Sequence, residues 1–261
     1  MNKRRVSKNL SDEEVQELVK FYPPTDKYSQ NGSSPTSLLN KIQIDVKCKS
    51  ENQKKLIKSI RDHEITICEG MAGCGKTYLS CYEALKLLKS EYPKYNRIIL
   101  VKSVTTLKDE EVGFLKGDLK DKLLPIMYSF TGNFEKLIGK DLLEKLTNSG
   151  LIEQQPLAYV RGVSIDNAIV IIDECQNISV DNMKTILTRI GYDSKYIVLG
   201  DSKQIDIKNK KNSSLEKIMK GFEPHDGFGI VRLGKEDIVR HRLISIIDDV
   251  FNDIEKESDK K

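Results

Sequence analysis

Gly70, Gly75, Lys76 and Thr77 stand at the spacing Gly-x-x-x-x-Gly-Lys-Thr, with a further glycine at Gly73. A loop this poor in side chains lets successive backbone N–H groups close around phosphate oxygens. A helix beginning at its end points its positive pole at the same oxygens. Gly70, Met71, Ala72, Gly73, Cys74, Gly75, Lys76, Thr77 and Tyr78 are therefore the candidate cradle of a nucleoside triphosphate. Lys76 would set a point charge between the β- and γ-phosphates, and the Thr77 hydroxyl would become a ligand of Mg²⁺. A purely structural glycine turn before a helix would not need Lys and Thr side by side at this place.

A second set of reactive groups ends the apolar run Ala-Ile-Val-Ile-Ile-Asp-Glu174. Two carboxylates closing a strand buried on both faces require a partner. Mg²⁺ with an attacking water is the one the first motif suggests: Asp173 in the metal shell, Glu174 orienting and polarising the water. A helix cap with an acidic first turn would explain one of the two comfortably and both less well. Gln204 closes a third apolar run, Lys-Tyr-Ile-Val-Leu-Gly200, and could hydrogen-bond the γ-phosphate or the water. Gln53 lies on a helix just ahead of the glycine loop. Its amide could donate to and accept from adenine, or it could simply be a solvated glutamine. Arg240, in the first turn of a predicted helix, faces the dipole unfavourably and so should answer to an anion.

Positioning these groups takes strands that end where they begin. Residues 64–68, 97–101, 168–172, 195–199 and 229–233 read as short strands. Helices are predicted over 50–61 (capped by Ser50), 78–89, 119–149 with a break at Gly132, 180–189, and 238–254 begun by Asp237. Lys102-Ser103 falls at the C-terminal end of its strand, where open α/β sheets bind ligands. The pattern predicts an α/β fold with a mainly parallel sheet flanked by helices. Residues 1–44 read as an arm: a basic tip, a short helix opened by Ser11, then a linker. Residues 45–254 form the core and 255–261 a charged tail.

The 261 residues carry 38% hydrophobic and 31% charged side chains, a composition suited to one large globular core. No apolar run reaches the roughly 20 residues that span a bilayer, and the N-terminus lacks a signal-peptide core, which predicts a cytoplasmic protein without membrane contact. The net charge of +4 is too small to demand a polyanionic partner. Cys48, Cys68, Cys74, Cys81 and Cys175 show no metal-ligand spacing and read as free thiols. His63, His225 and His241 form no motif.

The chain resembles the PhoH family of predicted ATPases, whose core is similar to the motor domain of superfamily 1 helicases. The likeness covers about residues 50–252. It is carried by Gly-Met-Ala-Gly-Cys-Gly-Lys-Thr77, Gly-Phe-Leu-Lys-Gly-Asp-Leu119, Pro-Leu-Ala-Tyr-Val-Arg-Gly162, Asp-Glu-Cys-Gln-Asn177, Leu-Thr-Arg-Ile-Gly191, Gly-Asp-Ser-Lys-Gln-Ile-Asp206 and Val-Arg-His241. The resemblance implies a RecA-like P-loop fold, ATP and Mg²⁺ as cofactors, Asp173 and Glu174 as the Walker B pair, and Gln204 as the third helicase-type motif. It also implies Arg240 as an arginine finger, with Arg189 as a second candidate for sensing the γ-phosphate. The chain departs where relatives carry Arg-Pro in place of Lys102-Ser103, which loses a rigid turn, and Pro in place of Arg242. Some relatives add an N-terminal nuclease domain; the short arm shows no acidic nuclease cluster, so no nuclease activity is expected.

Superfamily 1 motors close two cores around ATP, and this sequence contains one. The resemblance therefore implies a homo-oligomer, a hexameric ring with Arg240 acting in trans. Three activities fit the residues: an ATPase motor on single-stranded RNA or DNA, RNA ahead of DNA; an ATP-dependent switch controlling a protein partner; and, last, a phosphotransferase. Lys102, Lys108 and the basic loop 208–211 could contact a strand or equally form a solvated face.

Overall fold

The computed structural model describes residues 35–90, 94–102, 131–160, 164–207, 211, 213–239, 243, 246, 247, 250 and 251. The Ser11 helix, residues 103–130 with Lys108 and the Gly113–Asp118 motif, Lys208 to Lys210, Arg240 and the tail lie outside the described residues.

Six strands form one sheet in the order β3-β2-β4-β5-β1-β6, every pair parallel. They are β1 (Ile65–Gly70), β2 (Arg97–Lys102), β3 (Ile152–Pro156), β4 (Ala168–Asp173), β5 (Lys195–Gly200) and β6 (Phe228–Leu233). The interior strands are apolar on both faces because side chains alternate and both faces are covered. Ile98, Leu100, Ile169, Ile171, Ile197 and Leu199 join one core. Ile99, Val101, Val170, Ile172, Tyr196 and Val198 join the other.

On the first face pack α1 (Pro35–Asn40), α2 (Glu51–Asp62), α3 (Lys76–Leu88) and α4 (Lys140–Asn148), which contribute Leu38, Leu56, Ile60, Leu85, Leu88, Leu143 and Leu146. On the second pack α5 (Val180–Leu187) and α6 (Leu215–Phe222), through Met183, Ile186, Leu215, Ile218 and Met219. The Ser50 cap forms as the sequence expects, and Ser179 supplies a second cap that the sequence reading did not name. Ser50 Oγ accepts from Gln53 N at 3.1 Å and Ser179 Oγ from Asn182 N at 3.3 Å, each relieving an orphan donor of a first turn. No described helix is long and apolar enough to cross a membrane.

Three predicted boundaries move. The break expected at Gly132 falls at Gly139 instead, which takes φ of 76° between a helix over 131–138 and α4. The core starts before residue 45: Leu38 and Ile42, assigned to the arm, are buried in the first core. Nor does Asp237 open the last helix. It ends a 3₁₀ turn, Lys235–Asp237, and its carboxylate accepts from Gly234 N at 2.7 Å; Ile238 is extended and Val239 N donates to Gly73 O at 3.1 Å. The chain leaves β6 by crossing the glycine loop before any helix begins.

Candidate functional site

All six strands point the same way, so β1, β4 and β5 deliver their last residues to one edge. β5 separates β1 from β4, two strand spacings of about 10 Å in total. The glycine loop turns from β1 into α3 across that gap. Gly73 and Gly75 both take φ of 89°, a left-handed conformation that costs other residues about 1–2 kcal/mol. A Cβ on Gly70 would stand 2.8 Å from Leu233 Cβ, so β6 packs against the loop only because that side chain is absent.

The Thr77 hydroxyl, at the start of α3, donates to Asp173 Oδ2 at 3.0 Å across 96 residues of sequence. Asp173 Oδ1 accepts from Glu174 N at 3.0 Å. A hydroxyl and a carboxylate are hard oxygen donors of the kind Mg²⁺ takes alongside phosphate and water, so the residues fit the implied ion. Among the described residues no cluster of three or more His, Cys, Asp or Glu could hold a metal by itself.

Lys76 Nζ folds back on the loop, donating to Gly70 O and, at 3.1 Å, to Met71 O. These are bonds that phosphate oxygens would replace. Cys74 is buried and its thiol donates to Met71 O at 2.9 Å. Burial raises its pKa against the opposing pull of Lys76, keeping it a neutral thiol.

Glu174 adopts φ 55° and ψ 38°, left-handed for a residue that carries a Cβ. Strain of this kind, of order 1–3 kcal/mol, persists only where surrounding contacts impose it. The contact is Gln176, fully buried in the 3₁₀ turn Cys175–Asn177. Its Nε2 donates to Glu174 Oε2 at 2.7 Å and to Gln204 O at 3.0 Å, while its Oε1 accepts from Asp201 N at 3.0 Å. One amide thus ties the carboxylate at the end of β4 to the polar turn after β5. Asp201 in turn accepts from Ala72 N at 3.1 Å, closing a circuit back to the glycine loop.

A cleft of about 370 Å³ opens between these elements. It is lined by Ala72, Gly73, Gly75, Lys76, Thr77 and Tyr78 of the loop and α3, by Asp173, Glu174, Gly200, Asp201 and Gln204 of the strand ends, and by Asn133, Lys136 and Val239. Gly70, Met71 and Cys74 shape the loop from behind and do not line it. Gln176 and Asp201 are among the residues that sequence reasoning missed, with Asn133, Lys136 and Val239 on the cleft wall. Asp201 obeys the same logic as Asp173, a carboxylate closing an apolar strand, and Gln176 stands inside the Asp-Glu-Cys-Gln-Asn motif.

Two expected site residues do other work. Gln53, expected to read adenine, does not line the cleft: the residue is 2% exposed and its amide is already engaged. Nε2 donates to Cys74 O at 3.0 Å and Asp237 O at 3.4 Å, and Oε1 accepts from Lys49 N at 2.6 Å. In this structure Gln53 braces the loop. Gln53→Ala should therefore lower stability by about 1–3 kcal/mol, the cost of stranding a buried acceptor. The ratio of ATP to GTP affinity should stay unchanged; paired urea melts and nucleotide titrations check both. Arg189 is likewise not brought to the cleft. Its carbonyl accepts from Ile165 N at 2.8 Å at the opposite, N-terminal edge of the sheet, so it cannot sense a γ-phosphate in its own subunit. Arg240 itself is not among the described residues; Val239 before it sits on the loop.

The chain is 35% identical over 207 residues to a PhoH-like protein of Bacillus subtilis, covering 79% of this chain and 64% of that one. It is 33% identical over 243 residues to a PhoH-like protein of Mycobacterium tuberculosis, covering 93% and 68%. It is also 36% identical over 197 residues to Protein PhoH of Escherichia coli, covering 75% and 55%. The matched stretch is under two thirds of the length of the Bacillus and Escherichia relatives. A large terminase from a thermophilic bacteriophage overlays with a TM-score of 0.42 and 12% identity over 74% of this chain and 48% of that one, too loosely to inform function. Residues 45–252, from ahead of the glycine loop to past Val239, match the family described as PhoH-like protein, and the chain belongs to that family.

Proposed function

We propose that the protein is a Mg²⁺-dependent ATPase of the cytoplasm that acts on single-stranded RNA or DNA, RNA ahead of DNA. The observation that carries the hydrolytic half is the 3.0 Å bond from Thr77 to Asp173, with Glu174 and Gln204 on the same cleft wall. In this reading Lys76 trades the Gly70 and Met71 carbonyls for phosphate oxygens. Thr77 and Asp173 would hold Mg²⁺, which would offset charge on the phosphates. Glu174 orients the attacking water. Gln204 meets the γ-phosphate or that water, and Gln176 makes its position depend on Glu174.

The nucleic-acid half rests on the helicase-like motifs and on exposed cations in the segment after β5, namely Lys203 and Lys211. The ring reading has support from an apolar stripe past Val239: Leu243, Ile246, Ile247, Val250 and Phe251 are all exposed in this single chain, at helical spacing. In a ring, Arg240 would reach the neighbour's ATP as an arginine finger. The same stripe would also serve a protein-directed switch, which is the alternative reading.

Steady-state ATPase rates with and without single-stranded RNA and DNA, across a salt series, decide between them. Stimulation by RNA that falls steeply with salt is the expected result, because phosphate contacts release counterions. Hydrolysis indifferent to both strands at every salt would reject the nucleic-acid half and leave the switch.

A further inference from the structure

The part of the cleft wall that no motif announces is the helix 131–138. It belongs to the crossover that leaves β2 and returns to β3, on the far side of β4 from the glycine loop. Phe134 is fully buried and Leu137 and Ile138 pack on the first core. Positions i, i+3 and i+4 make one helical face, which fixes the helix against the body of the protein. Asn133 and Lys136, three residues apart on the adjoining face, line the cleft.

The charges around that cleft are unevenly matched. Asp173, Glu174 and Asp201 line it with two cations, Lys76 and Lys136, among the described residues. Four of the five have structural commitments: Asp173 to Thr77, Glu174 to Gln176, Asp201 to Ala72, and Lys76 to the loop carbonyls. Lys136 forms no ion pair or side-chain hydrogen bond among the described residues. It is a cation held at the cleft by a helix anchored in the core.

We propose that Lys136 binds the terminal phosphate of the nucleotide from within the same chain and so lets the pocket distinguish triphosphate from diphosphate. The proposal rests on the ATPase reading above. The glycine loop grips one side of the phosphates and Glu174 marks the side where the γ-phosphate would be attacked. A side chain arriving from beyond β4 reaches that side. An ammonium on a flexible four-carbon stem suits it, since it meets phosphate as a point charge without fixed geometry.

The test is titration of wild type, Lys136→Ala and Lys136→Arg with Mg-AMP-PNP and Mg-ADP by calorimetry. Lys136 is exposed on its helix, so the substitutions leave the fold intact. Lys136→Ala should weaken AMP-PNP about tenfold, the loss of one charged contact, and leave ADP within about twofold. Lys136→Arg should recover most of the difference. Equal weakening of both nucleotides, or no change in either, overturns the assignment of Lys136 while leaving the P-loop reading intact. A wild type that binds neither nucleotide overturns the ATPase reading itself.

Discussion

Glu174→Gln should bind ATP as tightly as the wild type and hydrolyse it about 10²–10⁴ times more slowly, the range usually lost with a positioned base. The substitution is a narrow one. A glutamine in this place keeps an oxygen that can accept from Gln176 Nε2, now 2.7 Å from Glu174 Oε2, so the circuit through Gln204 and Asp201 survives. The left-handed backbone at this residue is imposed by its surroundings and is no worse for glutamine than for glutamate. What disappears is the negative charge proposed to polarise the water. Phosphate release in a single turnover, with binding of a fluorescent ATP analogue measured in parallel, separates the two effects. A wild-type rate in this variant would remove Glu174 from the chemistry and leave Asp173 as a metal ligand alone.

Lys76→Ala should lose nucleotide affinity by about 10- to 150-fold, from the 1.5–3 kcal/mol typical of a hydrogen bond to a charged group. The ligand-free protein should melt almost as before. In the free protein Lys76 serves the carbonyls of Gly70 and Met71, which water can satisfy, and the Cys74 sulfur at 3.8 Å, and the loop has three other braces. These are Gln53 on Cys74 O, Asp201 on Ala72 N and Val239 on Gly73 O. Calorimetric titration with Mg-ADP and a thermal melt without nucleotide give both numbers. Affinity within about twofold of wild type would mean that the phosphates do not lie on this loop.

The contrast between Gln53 and Glu174 shows where sequence reading reaches its limit. Both assignments rest on what chemistry the side chain could do. For Glu174 the surroundings can be inferred as well, since a strand of unbroken apolar residues must be interior and must release its carboxylates at its end. For Gln53 the same donor and acceptor suit an adenine and a loop carbonyl equally. Only distances near 3 Å to Cys74 O and Lys49 N choose between them. Arg189 fails for a reason that connectivity contains. A helix between two parallel strands runs back down the sheet, so a residue between α5 and β5 must lie at the N-terminal edge, away from the cleft.

The missed elements have similar causes. β3 pairs along only one side, at the sheet edge, and needs little more than Ile152 inside, so Ile-Glu-Gln-Gln-Pro carries no strand pattern. Pro156 is tolerated there because an edge strand can spare an N–H. α6, by contrast, has a legible pattern that the strand-end motifs overshadow: Leu215, Ile218, Met219 and Phe222 repeat at helical spacing, and the first three are buried.

By itself, then, the sequence determined the phosphate loop, the doubly buried strands with the carboxylates at their ends, the Ser50 cap and the α/β class, because each depends on neighbours within a few residues or on burial that composition reveals. The tertiary structure alone decided that Thr77 meets Asp173, that Gln176 joins Glu174 to Gln204, that Gln53 braces the loop, and that Lys136 borders the cleft. Those pairings depend on which strand lies beside which, and a hydrogen bond made across 96 residues leaves no local trace in the chain that makes it.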